Sequence, residues 1–357
     1  MGGVPGAFAA AAFSLVTSSP AATSGRGYDG VTALAEEEAV DEAAEEEALP
    51  PAERRPVPAL DPPPPRQSWV YSNLFGLRIN PLGLGDELLI GSRWNLIQRS
   101  GALYRDSFVA LKLHTFLTPS FLHAGPRFEL QPLSVIGIAV TYDVLGYFGN
   151  IGQVLGYPSP WGDFSDSARR ERVRAGENRA AFGHSVRFSS LLQARVGPVA
   201  VRHQAHFTYA DLRLEPGYRV YYDQAIDLLQ PDGGWSLVSD LDAFVFLPKG
   251  WLLGARYTAT LAFYRARHVP PEEVDRDRSL PPLHRLGPAV LFTFFDDPAR
   301  RFNRPTLILL TQWWIQHPWR TGVDVHPAIP YAAVAFSFEG SWHSRRAEAA
   351  ARRRRIR

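Results

Sequence analysis

The stretch "GWLLGARYTATLAFYRARH", Gly250 to His268, decides how this chain folds. Taken two residues at a time, Trp251, Leu253, Ala255, Tyr257, Ala259, Leu261 and Phe263 fall on one face. Leu252, Gly254, Arg256, Thr258, Thr260, Ala262 and Tyr264 fall on the other. The first face is apolar throughout, and the second is mixed and charged. Side chains of an extended chain alternate sides, so the pattern predicts a long strand with two unlike surroundings. One set of surroundings is protein or water and the other is protein or lipid, and the rest of the chain decides which.

The same alternation recurs from Ser68 to Trp342. Leu88, Ile90, Trp94 and Leu96 oppose Gly91, Arg93 and Asn95; Leu122, Ala124, Phe128 and Leu130 oppose His123, Arg127, Glu129 and Gln131. Ile136, Ile138, Val140, Tyr142 and Val144 oppose Gly137, Thr141 and Asp143. Val186, Phe188 and Leu192 oppose Arg187, Ser189, Gln193 and Arg195; Val199, Val201 and Phe207 oppose Arg202, Gln204 and His206. Leu237, Leu241 and Val245 oppose Asp240 and Asp242. Segments at 286–295 and 305–315 are nearly apolar on both faces. The count is twelve strands, with ten or fourteen as alternatives. Helical periodicity is essentially absent.

Three features place lipid outside. Connectors alternate between long (149–182, 215–234, 269–283) and short (Gly197-Pro198, Pro248-Lys249-Gly250), the rhythm of an outer-membrane barrel. Most segments supply the roughly 9–11 residues that a tilted strand needs to cross a bilayer. The polar faces mix both signs of charge with Gly, Ser, Thr and Gln, while Lys112 and Lys249 are the only lysines. Trp251 at one end and Phe263 with Tyr264 at the other then fall at the two interfaces, where amphipathic rings are favoured.

Composition excludes other classes. The chain has 357 residues and no cysteine, so disulfides and thiolate metal sites are out. Ten histidines are scattered without ligand spacing, and no cofactor or metal is expected. The net charge of +2 hides three zones. Residues 1–67 hold eleven acidic residues against four arginines, and 343–357 hold seven arginines against one glutamate. The middle is nearly balanced, which argues against nucleic acid as a partner. No run of eighteen apolar residues is present. Residues 1–23 read as a signal peptide with an apolar core at Ala7–Val16, though no basic residue precedes it. Residues 24–66, acidic and then proline-rich, read as a disordered leader, and 343–357 as a basic disordered tail, solvated or drawn to anionic lipid or nucleic acid.

On these residues, with the last strand "IPYAAVAFSFEGSW" and its alternating Val334, Phe336 and Phe338, the chain resembles bacterial outer-membrane β-barrel proteins as a class. The resemblance covers Ser68 to Trp342 and names no single family. It implies an all-β, antiparallel up-and-down transmembrane barrel over 67–342, in the bacterial outer membrane, with outer-membrane lipid and the barrel-assembly machinery as partners. Such proteins commonly stop at the terminal aromatic, whereas here "HSRRAEAAARRRRIR" follows.

The function expected is passive: a porin-like channel for small solutes, or a structural barrel, without catalysis. The candidate lumen residues are Arg93, Arg127, Asp143, Arg187, Arg195, Arg202, Asp240, Asp242 and Arg256. They either line a water-filled pore or bridge to one another and close it. The alternatives are a lipid-modifying enzyme and a soluble lipid-binding barrel. "GHSVRFSS" offers His184 and Ser185, but adjacent residues point to opposite faces. A Ser-His pair on one outward face would favour the enzyme. "WWIQHPW", Trp313 to Trp319, reads as an interfacial aromatic belt rather than a sugar platform. "GNIGQVLG" from Gly149 lacks the Lys-Ser/Thr of a phosphate loop.

Overall fold

Residues 66–97, 103–104, 106–151, 155–275, 280–297, 300–318, 326 and 328–342 are described in the computed structural model on which this account rests. The segments read from sequence as a signal peptide (1–23) and a basic tail (343–357), nearly all of the one read as a leader (24–66), and Trp319 lie outside the described residues.

The strands are β1 Gln67–Ile79, β2 Gly83–Asn95, β3 Phe108–Leu117, β4 Phe121–Leu133, β5 Ile136–Tyr147, β6 Gly156–Tyr157, β7 Ala181–Val196 and β8 Val199–Leu212. They continue with β9 Val220–Asp223, β10 Leu228–Pro231, β11 Gly234–Phe246, β12 Trp251–Phe263, β13 Leu283–Thr293, β14 Asn303–Gln316 and β15 Tyr331–Trp342. Twelve of them close into an antiparallel barrel, each beside its neighbour in sequence; β6, β9 and β10 form a separate three-stranded sheet. Closure is made by β1 against β15, with Trp69 opposite Trp342 and Ile79 opposite Ala332. Closure leaves no unpaired edge, the condition for a sheet to stand in hydrocarbon.

The wall is apolar outside. Trp69, Phe75, Leu77, Leu113, Ile138, Val144, Phe188, Leu241, Leu253 and Val334 are all exposed. Inside the same strands Arg78, Glu87, His114, Asp143, Asp242 and Arg256 are buried. A soluble barrel would reverse this, so the geometry excludes the soluble reading and requires a bilayer around the wall. Trp69, Trp94, Trp251 and Trp342 lie near one rim; Phe182, Trp235, Phe263 and Trp313 lie near the other. Tyr264 departs from its expected interface: its hydroxyl turns inward and donates to Leu229 O at 2.5 Å.

Both barrel termini sit at one end, with the connectors 96–107, 134–135, 197–198, 247–250 and 294–302. The opposite end carries 80–82, 118–120, 148–180, 213–233, 264–282 and 317–330. The long ones mark the outer face and the end with the termini the periplasmic face. Twelve strands therefore keep a short outer connector at 118–120 and a longer inner one at 96–107. Within 148–180 the chain also forms a helix, α1, Asp166–Arg174, whose first turn is capped by Ser165 accepting from Ala168 N. It is short and lacks an apolar stripe, so it leaves little periodicity to read.

The apolar inner residues of β13 and β14 have a packing reason. Ala289, Ile308 and Leu310 meet Leu74, Phe244, Ala333 and Ala335 in one buried cluster inside the barrel. One side of the lumen is thus filled by hydrocarbon. Gly125 on β4 shows how tightly the wall is drawn in: a Cβ there would stand 1.9 Å from Tyr142 O.

Candidate functional site in the lumen

The polar side of the lumen is built by β2 to β5, β7, β8, β11 and β12, together with a hairpin that enters from outside. β9 and β10 pair with Leu228 opposite Asp223. Their turn, Asp223 to Asp227, folds into the barrel mouth. Arg78, 1% exposed at the outer end of β1, donates to the carbonyls of Gln224 and Ala225. Asp227 is fully buried; it accepts from Tyr222 Oη at 2.5 Å and contacts His317 Nε2 at 3.1 Å. The hairpin is held from above by a cluster of Tyr157, Phe164, Val220, Tyr222 and Leu229. Arg169 of α1 lies over the Tyr222 ring at 4.5 Å, and Arg172 over Tyr157 at 4.3 Å. Below, Tyr221 meets Tyr147, which packs on Phe121 and His123. The outer mouth is plugged.

Burial fixes the titration of the plug. Desolvation raises the Asp223 carboxyl to about 6, against the opposing pull of the Ala225 N–H and of Arg187 and Arg78. Burial also lowers His268, on the neighbouring connector, to about 4. Its ring takes the Arg265 N–H at 2.9 Å and lies 3.0 Å from Asp232 O.

Beneath the hairpin is a cavity of about 110 Å³. Its wall includes Glu87, His114, His123, Arg127, Arg187 and Arg285, with Asp223, Ala225 and Ile226 of the hairpin above. A second space of about 50 Å³ lies toward the periplasmic end, beside Glu129, Gln131, Ser189 and Gln204. Arg127 and His206 belong to both linings and so divide them.

Most of the charge in the lumen is paired. Asp242 binds Arg256 Nε at 2.7 Å and Arg202 NH2 at 2.7 Å, and Arg256 also reaches Asp240 at 3.3 Å. Arg127 Nε donates to Glu129 at 2.6 Å, and Lys112 takes the other oxygen at 2.7 Å. His114 stands between Asp143, at 2.7 Å, and Glu87, at 3.3 Å. Arg187 lies 3.8 Å from Asp143. Arg93 is nearer the periplasmic rim, 3.6 Å from Asp106 and stacked on Phe108. Arg195 lies on the inner face of β7 at the periplasmic rim. It is exposed where β7 outruns the barrel, donating to Gly197 O and covering the Phe246 ring. The other eight sequence candidates lie deeper on inward faces, and Arg195 stands at the rim of one.

The sequence reading left out Arg78, Glu87, Asp227, Arg285, Gln312 and His317. Arg78 and Glu87 lay on inner faces that strict alternation from Leu77 and Leu88 would have reached. Asp227 and His317 lie in connectors, where alternation says nothing.

Outside the barrel, His184 is exposed and Ser185 buried, so the two point apart as expected. A different pair does face lipid together. His203 Nε2 of β8 is 2.9 Å from Ser239 Oγ of β11. The strand neighbours of His203 are Leu192 and Leu241, and those of Ser239 are Ala205 and Ala259.

No family model matches the chain, and no curated protein sequence matches it. Among solved structures, OccAB1 of Acinetobacter baumannii is 8% identical, over 72% of this chain and 57% of that one, with a TM-score of 0.36. CdiB from Acinetobacter baumannii is 11% identical over 78% and 60%, with a TM-score of 0.34. LpxR from Salmonella typhimurium is 7% identical over 76% and 99%, with a TM-score of 0.32. The chain thus spans under two thirds of the first two. Likeness this distant adds nothing to what strand pairing and the inside-out wall already establish. The chain is a bacterial outer-membrane β-barrel. This barrel is closed on its outer side by its own hairpin.

Proposed function

We propose that this barrel is a non-catalytic channel for small solutes, shut at rest by the β9–β10 hairpin. The observation that carries this reading is the pair of spaces left open one behind the other beside buried charged side chains, divided by Arg127 and His206, the outer one covered by Asp223, Ala225 and Ile226. A barrel with only a structural role has no need to keep open space beside buried charges under a loop, since filling it with apolar side chains would be cheaper. Displacing the hairpin would join the outer space to solvent. Outer-membrane lipid surrounds the wall, the barrel-assembly machinery inserts it, and nucleic acid has no part. The test is planar-bilayer conductance of the refolded chain beside a variant in which 223–228 is replaced by Gly-Gly. The intact chain should be mostly closed and the variant conducting. A variant that folds, with heat-modifiable gel mobility, yet conducts nothing would leave the structural reading in its place.

A second reading rests on His203 and Ser239, whose geometry suits a nucleophile and its base on the lipid face. Against it, the residues flanking the pair on the wall are apolar, and none is a carboxylate to orient the imidazole. Ester-lipid hydrolysis by the intact chain that is abolished in Ser239→Ala would favour the enzyme.

A further inference from the structure

Arg285 is the unusual cation of this lumen. It is 3% exposed, and its guanidinium lies over Tyr331 at 4.3 Å and Trp314 at 5.2 Å. Its Nε has no hydrogen-bond partner among the described residues, and no described carboxylate lies within ion-pair distance. Arg78 approaches the same Tyr331 ring at 5.9 Å, so the neighbourhood is doubly cationic. A buried guanidinium without a counter-charge is expensive, and such a group calls for a bound partner. Arg285 borders the 110 Å³ cavity, as does Arg187, whose one carboxylate stands at 3.8 Å. Ser185, Ser236 and Thr260 are buried and bring hydroxyls to the same wall. The cavity's own carboxylates are engaged: Glu87 by His114 at 3.3 Å, and Asp223 by Ala225 N at 2.8 Å. Arg127 is taken by Glu129 at 2.6 Å. What is left over is positive charge with hydroxyl donors around it.

We propose that the cavity beneath the hairpin is a binding site for one small oxoanion, held by Arg187 and Arg285. Two guanidinium planes and three hydroxyls offer donors in several directions, which suits a tetrahedral or planar oxoanion better than a halide. Aromatic rings on Arg285 fix its plane so that its edge, not its face, meets the ligand. The wall separates the cavity from lipid, so the anion comes from solvent rather than from a lipid headgroup. The inference deepens the channel reading by naming the solute class, but binding and conduction are read separately.

The test is calorimetric titration of the detergent-folded full chain with inorganic phosphate, sulfate and acetate, all in a chloride background near pH 6. At least one oxoanion should bind saturably. Arg285→Gln and Arg187→Gln should each weaken it tenfold or more, while Arg195→Gln, at the exposed rim, should not change it. Because Arg285→Gln alters a packed position, its fold is checked by heat-modifiable mobility, and Arg187→Gln, at a less buried residue, gives the independent reading. Absence of saturable heat with all three oxoanions overturns the inference. So does binding that survives in both folded variants, or that falls equally in Arg195→Gln. Absence of binding by the intact chain, with the hairpin variant still conducting, removes this inference alone; binding by the intact chain with no conduction in any variant removes the channel and keeps the site.

Discussion

Removing Asp242 distinguishes a filled lumen wall from a wet one. Asp242 is fully buried and serves two guanidinium groups, Arg256 through Nε at 2.7 Å and NH2 at 2.8 Å, and Arg202 through Nε at 3.0 Å and NH2 at 2.7 Å. In Asp242→Ala, Arg256 keeps Asp240 at 3.3 Å, while Arg202 loses both of these charge-assisted bonds. Breaking one partner of a buried pair costs about 3–5 kcal/mol, because a desolvated charge is left behind. The same change in a water-filled pore would cost about 0–1 kcal/mol, since solvent and salt screen the pair. The two cases differ by roughly a hundredfold or more in the folding equilibrium. The assay is reversible urea unfolding in lipid vesicles, followed by tryptophan emission and gel mobility. A loss below about 1 kcal/mol that shrinks further at high salt would refute the buried-network account and make this side of the barrel an open aqueous wall.

The barrel was legible because lipid imposes period two on every strand. Trp251 to Phe263 can be sorted into faces without knowing any partner, and the sorting of Arg256 against Tyr257 agrees with their burial. Where the inner face is itself apolar, as at Ile308 and Leu310, alternation fades, and only packing against Leu74 and Ala333 explains the residues. The plug was not legible. Its strands are short, Val220–Asp223 and Leu228–Pro231, and lie in a connector that reads as an outer loop. What turns it inward is tertiary: Arg78 bonding two of its carbonyls and His317 meeting Asp227. Charge pairing was legible only as a rule, that buried charges pair; which carboxylate serves which arginine depends on register, as in Asp242 opposite both Arg202 and Arg256. The His203–Ser239 pair also escaped, because it joins two strands separated by the whole plug connector.

Leu241→Arg places a charge on the exposed apolar face and should cost about 2–4 kcal/mol in vesicle unfolding; a negligible cost would contradict the lipid assignment of that face. Thr258→Arg should be no milder, although Thr258 faces inward, because its hydroxyl is buried against Asp240 at 2.6 Å and no room is left for a larger side chain; a milder effect would mean open space there. The remaining prediction concerns pH and the plug. Burial lifts Asp223 from 3.8 to about 6, so the closed hairpin holds its proton more tightly than a displaced one. The stabilisation of the closed form is therefore full below about pH 4 and is lost as pH rises through 6. A shift of this size is worth about 3 kcal/mol by the linkage of pKa to free energy. His268 acts with the opposite sign: its depressed value, about 4, favours the closed form above pH 6.5 and less so as the ring is protonated. His268 is itself buried, so its opposing contribution has to be removed before that of Asp223 is read. Measured in a His268→Gln background, open probability in planar bilayers should rise between pH 4 and 7 and level off above. Adding Asp223→Asn should flatten that rise near its acidic, mostly closed level, because the amide stays neutral throughout. A rise that persists in the Asp223→Asn double variant would assign the titration to another group and detach Asp223 from the plug.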